Sequence, residues 1–401
     1  MSKEKVLLIN LHTSNHGDEA AGKALLNNLV DQEKIFSIIY NSRCGEGIPK
    51  FSLDFKESLL SHAPTLYEKI MIILSFYIPI KFLYLFLSKN LKREYNLIKN
   101  HDKIISMPGG ANLGLYADWL YLWRLHTSLA LSKKTAVYSI SIGAFKDNFF
   151  KRVTKSVLSR LDFLSLRDAQ SFRYADEMQL TYVKSIDTAF LEQPFIKDFN
   201  LKEYGVDFDI NNYVVFVPNN LTKWHPTFRS YKSELLKNFY ISILKSIIDQ
   251  GLNIVFLPQL FGCGDDKTFF EEISQNIEKD LKNKICIVDE KFSSDIQQNI
   301  ISRSLFVIGA RYHSIIFSIN NNKPFICLSY ENKMKNMLEI LDFENLSVDL
   351  TQIVVNDSLR DTYLSTIKDL IEYIRNNQIV ISNNKPVSIA KECFKTFQQK
   401  F

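Results

Sequence analysis

The chain has 401 residues, 46% of them hydrophobic and 23% charged, with a formal net charge of +5. This composition excludes a disordered or fibrous chain, and the length exceeds what one hydrophobic core usually spans, so two domains are expected. The slight excess of 49 basic over 44 acidic residues suits anionic substrates or a membrane surface. Without zinc-finger spacing, a helix-turn-helix signal or interleaved basic and aromatic residues, it gives no support to a nucleic-acid partner.

At the N-terminus KVLLINL (5–11) reads as a buried parallel strand, followed by the polar turn TSNHGD and a helix over 19–29. The short apolar run has no signal-peptide h-region or cleavage site, so a cytoplasmic location is expected. The five cysteines, Cys44, Cys263, Cys286, Cys327 and Cys393, are odd in number and form no C-x-x-C pair. They fit a reducing compartment and read as inert core thiols, with no structural zinc.

Further strands of the first half are predicted at 35–40, 103–107, 135–142 and 162–166. Between the first two lies a segment of different character, IMIILSFYIPIKFLYLFL (70–87), almost wholly apolar but containing Pro79 and Lys81 and followed by KNLKR. Three readings stand: a spanning helix, for which it is short and centrally charged; a peripheral membrane contact through 70–93, at the inner face of the plasma membrane, with Lys89, Lys92 and Arg93 meeting anionic head groups; and a buried helical hairpin broken at Pro79.

In the second half strand and helix alternate more plainly. Strands are predicted at 212–218, 253–258, 285–288, 305–309 and 324–330, with helices near 231–249 and 266–281. Regular alternation implies parallel sheets with helices on both faces. Pro194 and a charged stretch place a boundary near 192–211. An N-terminal Rossmann-like domain over 1–200, with an apolar insertion at 66–95, and a C-terminal one over 201–401 are expected.

Ligands of open parallel sheets bind beyond the carboxyl ends of the strands, so the loops there carry the candidate site. After the first strand come Asn15, His16, Gly17, Asp18 and Glu19. Gly17 permits close backbone approach at a helix N-terminus that can receive an anion, while Asp18 reads equally as a helix cap. Gly109 and Gly110 open a glycine-rich turn, PGGANLG, that is neither a P-loop nor a dinucleotide fingerprint. Arg167-Asp168 follows DFLSL as a local ion pair or as an anion site.

Most informative is ARYHSIIFSI (310–319), which sets Arg311 and His313 two residues apart at a strand-to-helix junction. An arginine fork there suits a carboxylate or phosphate, and a neighbouring histidine can serve as acid or base or can fix the loop. The acidic pair Asp265-Asp266 stands without histidine or cysteine partners at metal-ligand spacing and reads as a helix start, so no metal is expected.

Taken in order, NHGDEAAGKALLNNL, PGGANLG, YSISIGAF, SLRDAQSF, DTAF and ARYHSIIFSINNNKPFICLSYENK resemble the polysaccharide pyruvyl transferase family over roughly residues 10–340. The resemblance implies an α/β fold like that of the GT-B glycosyltransferases, two Rossmann-like domains facing across a cleft. It implies phosphoenolpyruvate as co-substrate, with no cofactor, and a sugar or lipid-linked glycan as acceptor of a pyruvate ketal.

Carried over position by position, Arg311 is the donor-binding arginine, His313 the catalytic histidine and Arg167 a second donor arginine. Asn15, Gly17, Gly109, Gly110 and Lys333 join the substrate-binding set, and Asp18 or Glu19 stands as the base. The opening turn lacks the extra glycines that often precede N-x-G-D, and the glycine cluster at 108–114 is short. A GT-B glycosyltransferase using a sugar nucleotide is the nearest rival, since Glu331 and Glu339 match an E-x7-E spacing. A non-catalytic glycan-binding scaffold is the rival from another class.

Overall fold

The computed structural model describes residues 3–30, 33–41, 51, 53–225, 227–261, 265–355, 357–377 and 379–401. Cys44 and Cys263 lie outside these residues. The chain divides into two compact units, one made of Met1–Thr13, Ala21–Leu191 and Pro386–Phe401, the other of Ser14–Ala20 and Glu192–Lys385.

In the first unit the strands are β1 (Glu4–Leu11), β2 (Lys34–Tyr40), β3 (Ser58–Leu60), β4 (Lys103–Ser106), β5 (Gly109–Gly114), β6 (Lys134–Gly143), β7 (Phe163–Leu166) and β8 (Val183–Lys184). They form a parallel sheet in the order β3-β2-β1-β4-β6-β7-β8, with β5 paired to β6. Each face is covered. Val6 and Leu8 of β1 point into one apolar layer with Leu25, Leu26 and Phe36, whereas Leu7 and Ile9 point into another with Ile104, Leu122 and Val157. A strand buried on both faces has no polar side to show, which is why KVLLINL reads as a continuous apolar run.

The last helix, Asn384–Lys400, belongs from Pro386 onward to the first unit, so the second does not run through 201–401 as expected. Its Cys393, Phe394 and Phe397 complete the Val6–Leu8 layer of the first unit, and Phe397 stands edge-on to Tyr138 and Phe163. The glycine-rich segment expected as a turn is strand β5, because its backbone finds hydrogen-bonding partners along β6.

The segment expected as an apolar insertion is a set of short helices. A helix over Leu66–Leu74 starts with a capping box in which Thr65 and Glu68 bond each other's backbone amides. The chain turns at Pro79 into Ile80–Leu83 and a single 3-10 turn, Tyr84–Phe86, before the helix Lys89–Lys99. Met71, Ile72, Ile80, Leu83 and Leu87 pack under it against Leu91, Leu120 and Trp123. No described helix is long and apolar enough to cross a membrane. The segment turns at Pro79 as the hairpin reading expected, but it is buried on its underside only, and Leu66, Phe82 and Leu85 on the other side are exposed.

In the second unit β9 (Tyr213–Val217), β10 (Asn253–Phe256), β11 (Ile285–Ile287), β12 (Phe306–Gly309), β13 (Phe325–Ser329) and β14 (Ser347–Asp349) form a six-stranded parallel sheet ordered β11-β10-β9-β12-β13-β14. Every residue of β9, β12 and β13 is buried. The chain leaves β9 toward one edge and returns at β12 to build toward the other. The carboxyl ends of β9 and β12 therefore flank the point where the direction of strand order reverses, the crevice in which doubly wound sheets hold ligands.

Candidate active site

Arg311 and His313 stand at that reversal, where β12 runs into the helix Tyr312–Asn320. Arg311 is the residue before the first helical turn, and no side chain caps the helix there. One Nη of its guanidinium donates to Asp266, whose carboxylate also accepts the Gln259 and Leu260 amides at 3.0 and 2.9 Å. These two amides partly neutralise Asp266, so it orients the fork without cancelling all of its charge. Trp224, after β9, lies under the guanidinium at 5.7 Å and is itself pinned by a 2.9 Å bond from its indole N–H to Asn219. The Arg311 Nε is buried and has no hydrogen-bond partner among the described residues.

His313 is 8% exposed and its ring occupies the space beside Gly17 that a side chain there would need. A Cβ built on Gly17 would fall 1.8 Å from His313 Nδ1 and 2.0 Å from its Cγ. Only glycine fits there, so the glycine of NHGDE serves the histidine of ARYH. The loop that carries Gly17 is fastened by a Phe261 amide to Ser14 carbonyl bond and by the His16 amide to Gln259 carbonyl bond.

Asn15, not Asp18, caps the helix His16–Leu29: its side-chain oxygen accepts the Gly17 amide at 2.8 Å and the Asp18 amide at 3.4 Å. Asp18 sits in the first turn, partly exposed.

His16 and Glu19 form a pair that the sequence did not single out. His16 Nε2 is 2.7 Å from the Glu290 carbonyl, which can only accept, so that nitrogen carries a proton. Nδ1 is 2.7 Å from Glu19 Oε2. Glu19 Oε1 takes the Ser294 amide at 3.3 Å and Phe261 stacks on the imidazole at 4.4 Å. Glu19 is thereby committed to structure, whereas Asp18 is not. Burial, reinforced by Asp265, pushes the nearby Glu290 carboxyl above its usual range.

Lys333 lies 2.7 Å from Glu331 and 5.6 Å above the Tyr312 ring. Burial alone would raise Glu331, but Lys333 and His225 overcome it and hold the carboxyl at about 2. The E-x7-E spacing does not bring its members to one place, since Glu339 is exposed on the helix that starts after Glu331.

The remaining candidates belong to the first unit. Arg167 and Asp168 do not pair with each other. Arg167 Nη1 donates to Asp187 at 2.5 Å, and both side chains are buried. Asp168 caps the helix Ala169–Glu177, accepting from the Ser171 amide and hydroxyl at 2.8 Å each. Gly109 lies against Asn10, with 3.2 Å between a built Cβ and its amide nitrogen, and a Cβ on Gly110 would meet nothing. The Asn10 side-chain oxygen accepts from Asn41 and Asn112, at 2.8 and 3.1 Å, and Asn112 also bonds His12.

A family model described as polysaccharide pyruvyl transferase matches residues 15–332. The chain belongs to the polysaccharide pyruvyl transferase family. The amylovoran biosynthesis protein AmsJ of Erwinia amylovora is 24% identical over 270 residues, 64% of this chain, and the match spans 63% of that relative's length.

Among solved structures, the UDP-GlcNAc 2-epimerase of Neisseria meningitidis bound to UDP-GlcNAc has a TM-score of 0.62 at 10% identity, covering 98% of this chain and 100% of that one. The UDP-GlcNAc 2-epimerase of Methanocaldococcus jannaschii has a TM-score of 0.58 at 14% identity, covering 98% and 99%. These likenesses concern the fold alone, and they agree with the GT-B-like α/β class expected from the sequence.

Within this pyruvyl transferase family member, Arg311, His313, Asn15, Gly17, Asp18 and Lys333 all belong to the second unit, while Arg167, Gly109 and Gly110 belong to the first. Sequence reasoning missed Asp266 as the partner of Arg311, having taken it for a helix start. Asp265 does that work instead, accepting the Thr268 amide at 2.8 Å. It also missed Trp224 and the His16–Glu19 pair. Trp224 carried a usable signal, a tryptophan shortly after a strand end. The His16–Glu19 contact carried only i, i+3 spacing, which is common.

Proposed function

We propose that this chain moves the pyruvyl group of phosphoenolpyruvate onto two hydroxyls of one sugar in a polysaccharide precursor, forming a pyruvate ketal and releasing phosphate. The observation that carries this reading is the Arg311 fork. It is oriented by Asp266, laid over Trp224 and left with an unpartnered buried Nε at the start of a helix, beside a histidine held in place by Gly17. A trianionic donor needs such a cationic, oriented cradle, and family membership supplies the reaction class.

In this mechanism His313 gives its proton to the methylene carbon of the enol, which becomes the methyl group, and positive charge develops at the adjacent carbon. A first sugar hydroxyl adds there, with Asp18 accepting its proton. The carbon–oxygen bond to phosphate breaks and the second hydroxyl closes the ring. Asp18 returns the first hydroxyl's proton to His313, replacing the one given to the new methyl group, and the second hydroxyl's proton leaves on hydrogen phosphate. Arg311 and Lys333 balance the charge of the departing phosphate.

The test is phosphate release from phosphoenolpyruvate by the purified protein with a panel of nitrophenyl sugars and lipid-linked oligosaccharides. Acceptor-dependent release that Arg311→Ala abolishes is the expected result. No release with any acceptor, together with turnover of a sugar nucleotide, would replace this reading by a glycosyltransferase.

A further inference from the structure

The Leu66–Leu74 helix and the turns after Pro79 bury one side and leave the other bare. Of the 18 large hydrophobic side chains exposed among the described residues, nine fall between residues 66 and 86. Leu66, Phe82 and Leu85 are 76%, 72% and 76% exposed, and Tyr67, Ile70 and Phe86 lie at half or more. They form one surface, because the Tyr67 hydroxyl donates to the Phe86 carbonyl at 2.5 Å and joins the start of the helix to the end of the 3-10 turn. Folded soluble proteins scatter exposed apolar groups singly; a contiguous patch of this kind marks a partner.

Charge identifies the partner. Residues 66–93 contain five basic side chains, Lys69, Lys81, Lys89, Lys92 and Arg93, and one acid, Glu68. Glu68 is buried and spent on the Ser88 hydroxyl and the Thr65 amide, and the next acid, Glu94, is buried against Arg124. Within residues 66–93 the exposed charged side chains are therefore cationic, with no exposed acid. Aromatic and aliphatic groups ringed by lysine and arginine suit the boundary of an anionic bilayer, where rings and chains enter the acyl region and ammonium groups meet lipid phosphates.

We infer that this face docks the protein peripherally on an anionic membrane, independently of the phosphoenolpyruvate reading. The test is co-sedimentation of the full chain with vesicles of phosphatidylcholine, with and without phosphatidylglycerol. Binding to the anionic vesicles at least about tenfold stronger than to the neutral ones, and weakened by salt, is expected.

Phe82→Ser with Leu85→Ser and Phe86→Ser should reduce that binding about tenfold or more, and Lys81→Glu with Lys89→Glu and Arg93→Glu should remove the anionic preference. All six positions are exposed, so thermal unfolding should not move, and the charge variant reads the idea even if the serine variant folds poorly. Failure of the unaltered chain to bind anionic vesicles would overturn the inference. So would undiminished binding by the serine variant, or a concentration-dependent dimer that the serine changes dissolve.

Discussion

Gly17 and His313 meet so closely that the missing side chain of one is the space occupied by the ring of the other, 1.8 Å from a built Cβ to Nδ1. Gly17→Ala must therefore shift the imidazole. A displacement of that order at a proton donor costs on the order of 100-fold in rate. We expect kcat to fall by about that factor while KM for phosphoenolpyruvate changes less. Steady-state kinetics alongside thermal unfolding would separate this from general destabilisation, and an unchanged kcat would remove His313 from the chemistry.

In the proposed reaction Arg311 acts through a planar fork, so charge alone should not replace it. Arg311→Lys keeps the charge but loses the oriented pair of donors, and we expect kcat/KM for phosphoenolpyruvate to drop by roughly 30- to 150-fold, about 2–3 kcal/mol. Asp266→Asn should show a smaller loss, since the fork would stay while its orientation loosens. A lysine variant with unaltered kcat/KM would contradict the anion-binding role.

The Arg167–Asp187 pair is buried on both sides. Removing the carboxylate in Asp187→Ala takes from the buried Arg167 guanidinium its charged partner and should cost about 3–5 kcal/mol of stability. Urea unfolding measures it; a loss below about 1 kcal/mol would mean that its other partners, Ser141 among them, suffice to hold Arg167.

Glu331 titrates at about 2 in the folded chain against about 4.3 when unfolded. Its depressed value means that it contributes stability above the unfolded value, and that this contribution fades as pH falls from there toward about 2. The stability difference between the unaltered chain and Glu331→Gln should thus be full near neutral pH and shrink through that acid window. Urea midpoints taken across it should converge; parallel curves would show that Lys333 and His225 do not hold the charge.

Strand positions were largely legible because strands buried on both faces are continuous apolar runs; ten strands were read, from KVLLINL to PFICLSY. Those missed were β3, β5, β8 and β14, three of them only two or three residues long and one masked by its glycines. Arg311 and His313 stood out because arginine and histidine directly after a strand end occupy the place where parallel sheets bind ligands. Asp266, Trp224 and the role of Gly17 did not, since each works through a residue far away in the chain.

What the residues determined by themselves is local: alternating apolar runs and helices, the turn chemistry after each strand, and an apolar segment broken by Pro79 with lysines around it. What only the tertiary structure decided is partnership. Strand order sets Arg311 beside Asp266, 45 residues away, turns Arg167 from Asp168 to Asp187, and brings Cys393 and Phe397 back to the first sheet. Periodicity reports which side of an element is apolar; which other element covers that side depends on packing between segments distant in sequence, and no short window of residues encodes it.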